Sequence, residues 1–281
     1  MRNVSYLLGL VALLACASGA SAAANSWGDN FDSYADQAAF QAAWPTWSTN
    51  GTSMQLIQGF GQSDSQCISG VAPANNQGWN YHNLNSFTDY KPAPGAVVSW
   101  QVSFYDTDPT LPLSPNPGRN FFHMRAYGDA NGPGMPVNYT DPAPAKGLQG
   151  LVALGLYESA STQYGGGPGG RGHYAYRLYY GGLNSWYATA ALRTQGWHTM
   201  RMDLDADAMQ ARIWVDGVLD ATVPLTDSAK LYAFDGIVAG SGLTSAGYDV
   251  AFDDVAVSVT PEPATLLMLA AGGLLLRRRR A

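Results

Sequence analysis

A predicted hairpin near the middle of the chain concentrates aromatic and polar side chains that suit sugar binding. Its strands are residues 174–180 and 185–192, joined by the glycine-containing turn Gly181–Asn184. Aromatic rings stack on the C–H surfaces of pyranoses, and neighbouring polar groups fix the orientation of the sugar. The alternative is that these rings belong to an aromatic-rich core. The candidate ligand-binding residues are Tyr174, Tyr176, Arg177, Tyr179 and Trp186.

The carboxyl groups needed for polysaccharide hydrolysis are scarce in this chain. A retaining glycosidase uses two carboxyl groups about 5–5.5 Å apart, one as acid and one as nucleophile. Between residues 25 and 260 the sequence has a single glutamate, Glu158, and no spaced aspartate pair replaces the missing partner. We therefore expect a protein without enzymatic activity, and a polysaccharide hydrolase or lyase is the alternative.

The histidines and the cysteine of the central region form no recognisable motif. Cys67 lies in a strand-like stretch, and we expect a buried and inert thiol because no activating residues surround it. The histidines lack the spacing of a zinc site, so surface or packing roles are expected for them. They are His82, His123, His173 and His198.

Short strands are the elements that must position these residues. The chain has 32 glycines, 16 prolines and 12% aromatic residues, a composition typical of many strands joined by turns. Residues 96–105 alternate so that Val98, Trp100, Val102 and Phe104 share one face. Residues 197–204 alternate in the same way. These patterns predict an all-β fold, an antiparallel β-sandwich over residues 25–259.

One short helix and several further strands complete the predicted domain. The helix is expected at Asp36–Trp44, with Ser33 and Asp36 as a capping box and Pro45 as its end. Long glycine- and proline-rich loops are predicted at 107–118, 128–147 and 165–172. The further strands are expected at 54–58, 66–71, 120–127, 148–157, 209–215, 218–223 and 249–259.

Three short sequences near the end of the domain resemble a known class of β-sandwich. Trp197-His198 opens a strand, Ile213–Gly217 forms a strand followed by an Asp-Gly turn, and Phe252–Val255 lies in the closing strand. This pattern is similar to that of the concanavalin A-like jelly rolls, including laminin-G-like modules. The resemblance covers about residues 195–259 well and 25–190 loosely. It implies two packed antiparallel sheets, one of them concave and often used for glycans.

The same resemblance suggests a place for calcium. The first and last strands of a jelly roll often lie side by side, and here they carry four aspartates. Carboxylate oxygens are the ligands that Ca²⁺ prefers. The alternative is that these acids cap strand ends or accept hydrogen bonds from the backbone. The candidate metal ligands are Asp29, Asp32, Asp253 and Asp254.

The N-terminus has the features of a secretory signal peptide. Arg2 supplies a positive charge, residues 4–14 are apolar, and small residues at 20–24 offer cleavage sites. The apolar stretch is shorter than the roughly 20 residues of a membrane span. A weak resemblance to a lipoprotein motif leaves lipidation of Cys16 as an open alternative. We expect residues 1–24 to be removed by signal peptidase after export.

The C-terminus combines a proline motif, an apolar segment and a basic cluster. Pro261-Glu262-Pro263 precedes 13 apolar residues, 264–276, and then the cluster Arg277, Arg278, Arg279 and Arg280. As a helix the apolar segment reaches only about 20 Å, and the arginines favour the cytoplasmic side. The region 260–281 resembles the PEP-CTERM sorting signal. That resemblance implies cleavage by an exosortase and placement at the cell surface, while a permanent transmembrane helix is the alternative.

Charge limits the partners of the exported part. Without residues 1–24 and 261–281 the count of Lys and Arg falls from 15 to 10 and that of Asp and Glu from 21 to 20, which leaves a net charge of −10. Such an acidic body has no electrostatic attraction for nucleic acid. We therefore expect a non-enzymatic protein of the cell surface or extracellular matrix that binds polysaccharide. A structural matrix protein without a small ligand is the alternative.

Overall fold

The computed structural model describes the central domain in nine stretches of the chain. These stretches are 25–46, 53–63, 65–69, 78–84, 89–106, 119–127, 148–157, 172–241 and 251–261. They contain one α-helix, and within them no helix is long and apolar enough to cross a membrane. The predicted signal peptide with Cys16, the three long loops apart from Gly172, and residues 262–281 lie outside the described residues.

Two antiparallel sheets form the domain, as predicted. The eight-stranded sheet contains β1 (Ser26–Asp29), β2 (Gln55–Ile57), β3 (Cys67–Ser69), β5 (Ala96–Asp106), β10 (Gly196–Asp205), β11 (Gln210–Val215), β12 (Val218–Pro224) and β14 (Ala251–Pro261). The six-stranded sheet contains β4 (Gly78–Asn83), β6 (Arg119–Ala126), β7 (Gly150–Tyr157), β8 (His173–Tyr179), β9 (Ser185–Leu192) and β13 (Gly236–Ser241). The strand order of the first sheet is β12-β11-β10-β5-β14-β3-β2, with β1 also paired to β14, and that of the second is β4-β13-β6-β7-β8-β9.

Alternating apolar residues build the core between the two sheets. Val98, Trp100, Val102 and Phe104 of β5 are fully buried, which confirms the predicted face. The residues that alternate with them in β5 point to the outer face of the eight-stranded sheet, because successive side chains of a strand point to opposite sides. β10 pairs with β5 over its whole length, so the two alternating patterns face the same way.

A β-bulge in β14 keeps its apolar residues on the core side. The register between β14 and β5 shifts between Asp253 and Ala256, and Asp254 has a φ of 45°. The extra residue reverses which side chains of the strand point to the core. Phe252 and Val255 are therefore both buried although they are three positions apart. Without the bulge, Val255 would point to the outer face.

The helix is confirmed, but its cap differs from the prediction. α1 runs from Gln37 to Ala43, and Asp36 is its N-cap because its side chain accepts a hydrogen bond from the Ala39 amide. The predicted capping box based on Ser33 is therefore wrong. The sequence did not indicate β4 or β13, since these strands are rich in Gly, Asn and Ser and carry little hydrophobic alternation. The first strand, β1, lies beside the last strand, β14, as the resemblance implied.

Candidate functional site

The predicted hairpin forms, but two of its five candidate residues face the core. Tyr174 and Tyr176 are 1% and 0% exposed and belong to the main hydrophobic cluster between the sheets. The Tyr174 ring packs edge-on against Phe104, and the Tyr174 hydroxyl accepts a hydrogen bond from the Thr194 amide. Their ring faces are covered by other side chains, so these two tyrosines cannot stack on a sugar, and this part of the prediction is wrong.

The other three predicted hairpin residues point to the opposite face of the six-stranded sheet from Tyr174 and Tyr176. These residues are Arg177, Tyr179 and Trp186. Arg177 and Trp186 are cross-strand partners in β8 and β9, and the Arg177 guanidinium lies 6.0 Å from the centre of the Trp186 ring. Trp186 is only 7% exposed and packs against Phe121. Tyr179 is half-buried beside them. The sheet therefore brings these three residues to one side, away from Tyr174 and Tyr176.

His123 lies in the same row of the six-stranded sheet, two strands away from Arg177, with Ala153 between them. Arg125 Nε is 3.4 Å from His123 Nδ1. Burial lowers the pKa of His123 well below its usual range, and the charges of Arg125 and Arg177 lower it further. The imidazole is therefore neutral near pH 7. No local pattern indicates this cluster, because its members come from β6 and β8, which are distant in sequence.

The four candidate calcium ligands are not gathered into one cluster of the described residues. In the part of the chain that the structure describes, no group of three or more His, Cys, Asp or Glu side chains could hold a metal ion. Asp29 accepts hydrogen bonds from the Phe31 amide and the Trp44 indole. Asp32 accepts from the Gln66 amide. Asp29 and Asp32 thus accept hydrogen bonds from donors of the protein itself.

Asp253 and Asp254 have different surroundings from each other. Asp253 is 1% exposed, and its carboxylate accepts hydrogen bonds from the Gln62 amide at 2.8 Å, from Ser65 Oγ at 3.2 Å and from the Asp254 amide at 2.8 Å. Burial raises the pKa of Asp253 to about 6. Asp254 is exposed at the bulge, where burial and the Asp32 charge raise the pKa of its carboxyl group. Asp253 thus fastens the β2–β3 connection to β14.

Two adjoining cavities form a groove along the outer face of the eight-stranded sheet. The first has a volume of about 520 Å³ and the second of about 460 Å³. Gln101 and Ala256 line both cavities and are cross-strand partners in β5 and β14. The two cavities therefore adjoin at these two residues, and we call them together the strand groove.

Polar side chains line the first cavity of the strand groove. Ser99 and Ser258 are cross-strand partners there, and Ser99 Oγ donates a hydrogen bond to Asp203 at 2.7 Å. Arg201 Nε lies 3.1 Å from the Asp203 carboxylate, and the Arg201 guanidinium lies 4.5 Å from the centre of the Trp214 ring. The Trp214 indole N–H donates to the same carboxylate at 2.8 Å. This network fixes a partly exposed arginine and a partly exposed indole at the edge of the cavity.

Three aromatic side chains continue the outer face beyond the second cavity. Tyr105 of β5 and Trp197 of β10 are cross-strand partners with ring centres 5.6 Å apart. Phe60, from the β2–β3 connection, lies 4.9 Å from Tyr105 and 6.3 Å from Trp197. Phe60 is 43% exposed, so the cluster offers ring surface to solvent. We call Phe60, Tyr105 and Trp197 the aromatic cluster.

The sequence contained a partial signal for the strand groove. The alternation of β5 and β10 already places Ser99, Gln101, Thr199 and Arg201 opposite the apolar faces. The pattern could not show that β14 lies beside β5, so the contribution of Ala256 was missed. Outside the groove, Cys67 is buried as expected, and burial followed by the Asp253 charge raises the pKa of its thiol to about 12.

The first residue of the predicted sorting motif belongs to the last strand. Pro261 is the last residue of β14, pairs with Ala96 of β5 and lines the first cavity. The last strand thus extends two residues beyond its predicted end. Glu262, Pro263 and the four arginines at 277–280 lie outside the described residues, and the structure does not test the sorting motif or the signal peptide.

Comparison with known proteins supports the fold at very low sequence identity. No protein-family model matches the chain, and no curated protein sequence matches it. A carbohydrate esterase from the Shiga toxin-encoding bacteriophage phi24B has a TM-score of 0.53 and 11% identity, over 85% of this chain and 100% of that chain. The globular domain of T. cruzi calreticulin has a TM-score of 0.50 and 10% identity, over 86% of this chain and 90% of that chain.

A lectin structure also matches, with a TM-score below 0.5. The lectin UEA-II complexed with galactose has a TM-score of 0.47 and 10% identity, over 84% of this chain and 98% of that chain. At these identities the likeness concerns the fold alone. The strand order and the two better matches together identify the central domain as an antiparallel β-sandwich of the jelly-roll class.

Proposed function

We propose that this protein is an exported, non-enzymatic β-sandwich of the cell surface or extracellular matrix that binds polysaccharide in the strand groove. The observation that carries the proposal is that the groove and the aromatic cluster lie next to each other on one face of the eight-stranded sheet, where the Tyr105–Trp197 pair follows the Ser103–Thr199 pair of the second cavity. Hydroxyl, amide and guanidinium groups lie along the groove, and exposed ring surface lies at its end. Sugar sites combine these two features, polar groups for orientation and rings for stacking.

A groove-filling substitution tests this proposal. Ala256 lines both cavities and is partly exposed on the outer face, so Ala256→Phe fills the groove without entering the core. We expect the purified full-length protein to bind at least one glycan on an array. We expect Ala256→Phe to lower the affinity at least tenfold by calorimetry, because the ring occupies the space of the sugar.

The matched control is Ala190→Phe, which makes the same change at an exposed position of β9. We expect this variant to bind like the unmodified protein. Equal binding by Ala256→Phe and the unmodified protein would contradict the assignment of the groove. Saturable binding to no glycan at all would favour the structural matrix protein.

The proposed location depends on the two ends of the sequence. A signal peptide at 1–24 and a PEP-CTERM-like tail at 260–281 support export, sorting by an exosortase and release or attachment at the surface. In this proposal the tail holds the body outside the inner membrane until it is cleaved. The last strand of the sandwich ends at Pro261, so a cut beyond that residue would leave both sheets intact.

Intact mass of the protein recovered from the surface and medium of the native host tests the location. We expect loss of the first 22–24 residues and of the segment beyond about Pro261, because both signals are read by membrane proteases. A full-length C-terminus in the membrane fraction would instead show that the tail is a permanent anchor.

A polysaccharide hydrolase or lyase is the alternative to this proposal. The neutral imidazole of His123 is not its base, because this side chain is only 1% exposed and a sugar cannot reach it. New reducing ends, or the ultraviolet absorbance of an unsaturated sugar, formed from polysaccharide by the purified protein would overturn the non-enzymatic proposal.

A further inference from the structure

We infer that the strand groove binds a linear, uncharged polysaccharide whose chain runs parallel to β5. The inference rests on the proposed glycan-binding function and adds to it the direction of the bound chain and its charge. Two independent features of the outer face carry it, namely the order of the surfaces along β5 and the distribution of charged side chains.

The order of the surfaces along β5 sets the direction. Ser99 lines the first cavity, Gln101 lines both, Ser103 lines the second, and Tyr105 belongs to the aromatic cluster. These residues follow one another at every second position of a single strand. From Val97 to Tyr105 this row extends about 26 Å at roughly 3.3 Å per residue. A linear chain of several sugar rings therefore fits along β5, and a monosaccharide would occupy only a fraction of the surface.

Charge at the first cavity is balanced within the protein. The Arg201 side chain lies 3.1 Å from the Asp203 carboxylate, and Arg212 lies 3.4 Å from the Asp205 carboxylate. Asp203 and Asp205 are buried beneath them, at 7% and 5% exposure. Each guanidinium thus faces an anion of the protein, and the cavity has little net attraction for an anionic sugar.

Charge at the second cavity is negative. Asp29 and the exposed Asp254 line this cavity, whereas no lysine or arginine is among its described lining residues. A uronate or sulfate group placed there would meet like charges with no compensating cation. The exported body, with a net charge of −10 by sequence, adds repulsion at longer range. An uncharged chain avoids both costs.

The experiment compares neutral oligosaccharides with carboxymethylated forms of the same oligosaccharides. The probes are laminari- and cello-oligosaccharides from the disaccharide to the hexasaccharide, titrated into the full-length protein at low ionic strength. We expect affinity to rise with chain length and the carboxymethylated forms to bind at least tenfold more weakly. We also expect Phe60→Ala to weaken binding of the longest oligosaccharides fivefold or more without affecting the disaccharide.

Two further variants isolate charge and position. Asp254→Asn removes the exposed carboxylate, and Asn tolerates the left-handed backbone at this residue, where φ is 45°. We expect it to reduce the ratio of affinities for the neutral and the carboxymethylated forms several-fold, because the like charge in the second cavity is removed. Leu192→Ala, which alters a 67% exposed side chain that lines neither cavity, is the control for non-specific surface effects.

The outcomes separate this inference from the proposed function. Tighter binding of the carboxymethylated forms, or affinity independent of chain length, would overturn the inference and leave glycan binding in place. If the probes bind saturably and Ala256→Phe does not weaken that binding, the ligand does not lie in the groove. That result would overturn both the inference and the proposed function of the groove. Binding of other glycans on the array but none of these neutral probes would overturn the inference alone.

Discussion

Among single residues, Asp253 connects the core of the domain to the aromatic cluster. Its carboxylate accepts hydrogen bonds from the Gln62 amide and Ser65 Oγ, and thereby fixes the connection that carries Phe60. Gly61 stands where a Cβ would lie 2.8 Å from Asp253 Oδ2 and 2.5 Å from the Gln66 carbonyl oxygen. The close approach of this connection to β14 therefore requires glycine at position 61.

The ionisation of Asp253 predicts a pH dependence of stability. Its pKa of about 6 in the folded protein exceeds the ordinary value of 3.8, so the folded state holds the proton more tightly. The contribution of this group to the free energy of unfolding is present at low pH and is lost as the pH rises from about 4 through about 6. Urea denaturation should show the unmodified protein losing on the order of 1–3 kcal/mol relative to Asp253→Asn between pH 4 and pH 7.

The comparison with Asp253→Asn cancels the titration of the other groups, which both proteins share. Asp254 titrates in the same direction in both, because its pKa is also raised. A stability difference between the two proteins that is constant from pH 4 to pH 7 would show that Asp253 does not titrate in this range.

Among the strands, β14 depends on its bulge, which decides the face that each of its residues takes. Asp254 adopts a left-handed backbone that is uncommon for residues other than Gly, Asn and Asp. The reversal of parity lets Phe252 and Val255 reach the core while Asp253 turns toward the β2–β3 connection. The first cavity and the core thus both depend on a single extra residue.

Substitutions at Asp254 test the bulge. Asp254→Val introduces a β-branched side chain at positive φ, and we expect a loss of about 1–3 kcal/mol in the free energy of unfolding. Asp254→Gly relieves the backbone instead, and we expect a stability equal to or above that of the unmodified protein. Chemical denaturation measures both. Equal losses in the two variants would mean that side-chain contacts of Asp254, and not its backbone, determine the effect.

Across the molecule as a whole, a buried ion pair joins two parts of the chain that are distant in sequence. Arg193 donates two hydrogen bonds to the Asp106 carboxylate, each of 2.8 Å, at the end of β5. The two side chains are 2% and 1% exposed. Arg193 lies in the connection from β9 to β10, so the pair ties the six-stranded sheet to the end of the eight-stranded sheet near the aromatic cluster.

Removing one partner should be far more costly than removing both. Arg193→Met leaves the Asp106 carboxylate buried without its cation, and we expect a loss of about 3–5 kcal/mol. The double variant Arg193→Met with Asp106→Leu removes both charges, and we expect it to recover much of that stability. A double-mutant cycle by chemical denaturation measures the coupling. Additive losses would show that the two side chains act independently.

Local patterning in the amino-acid sequence is sufficient to predict the sandwich class and the faces of its best-patterned strands. The alternation in 96–105 and 197–204 is local, because a strand repeats every two residues whatever its partners are. It therefore separates Trp100 and Met202 from Gln101 and Arg201 without any knowledge of the neighbouring strands. The same parity rule applied to the hairpin separates Tyr174 from Arg177, but it does not show which of them faces the core.

Non-local contacts determine which strands are neighbours and which outer faces are open. The strand groove joins Gln101, Arg201 and Ala256, residues about 50 to 150 positions apart that meet because β5 lies between β10 and β14. Tyr174 and Tyr176 are buried because the opposing sheet covers their face of the hairpin. The sequence of the hairpin alone does not predict which of its two faces that sheet covers. The alternation of side chains between two faces is set within one strand, so the sequence of that strand predicts it. A groove depends on which strands are neighbours, and that order arises from pairing between distant segments of the chain.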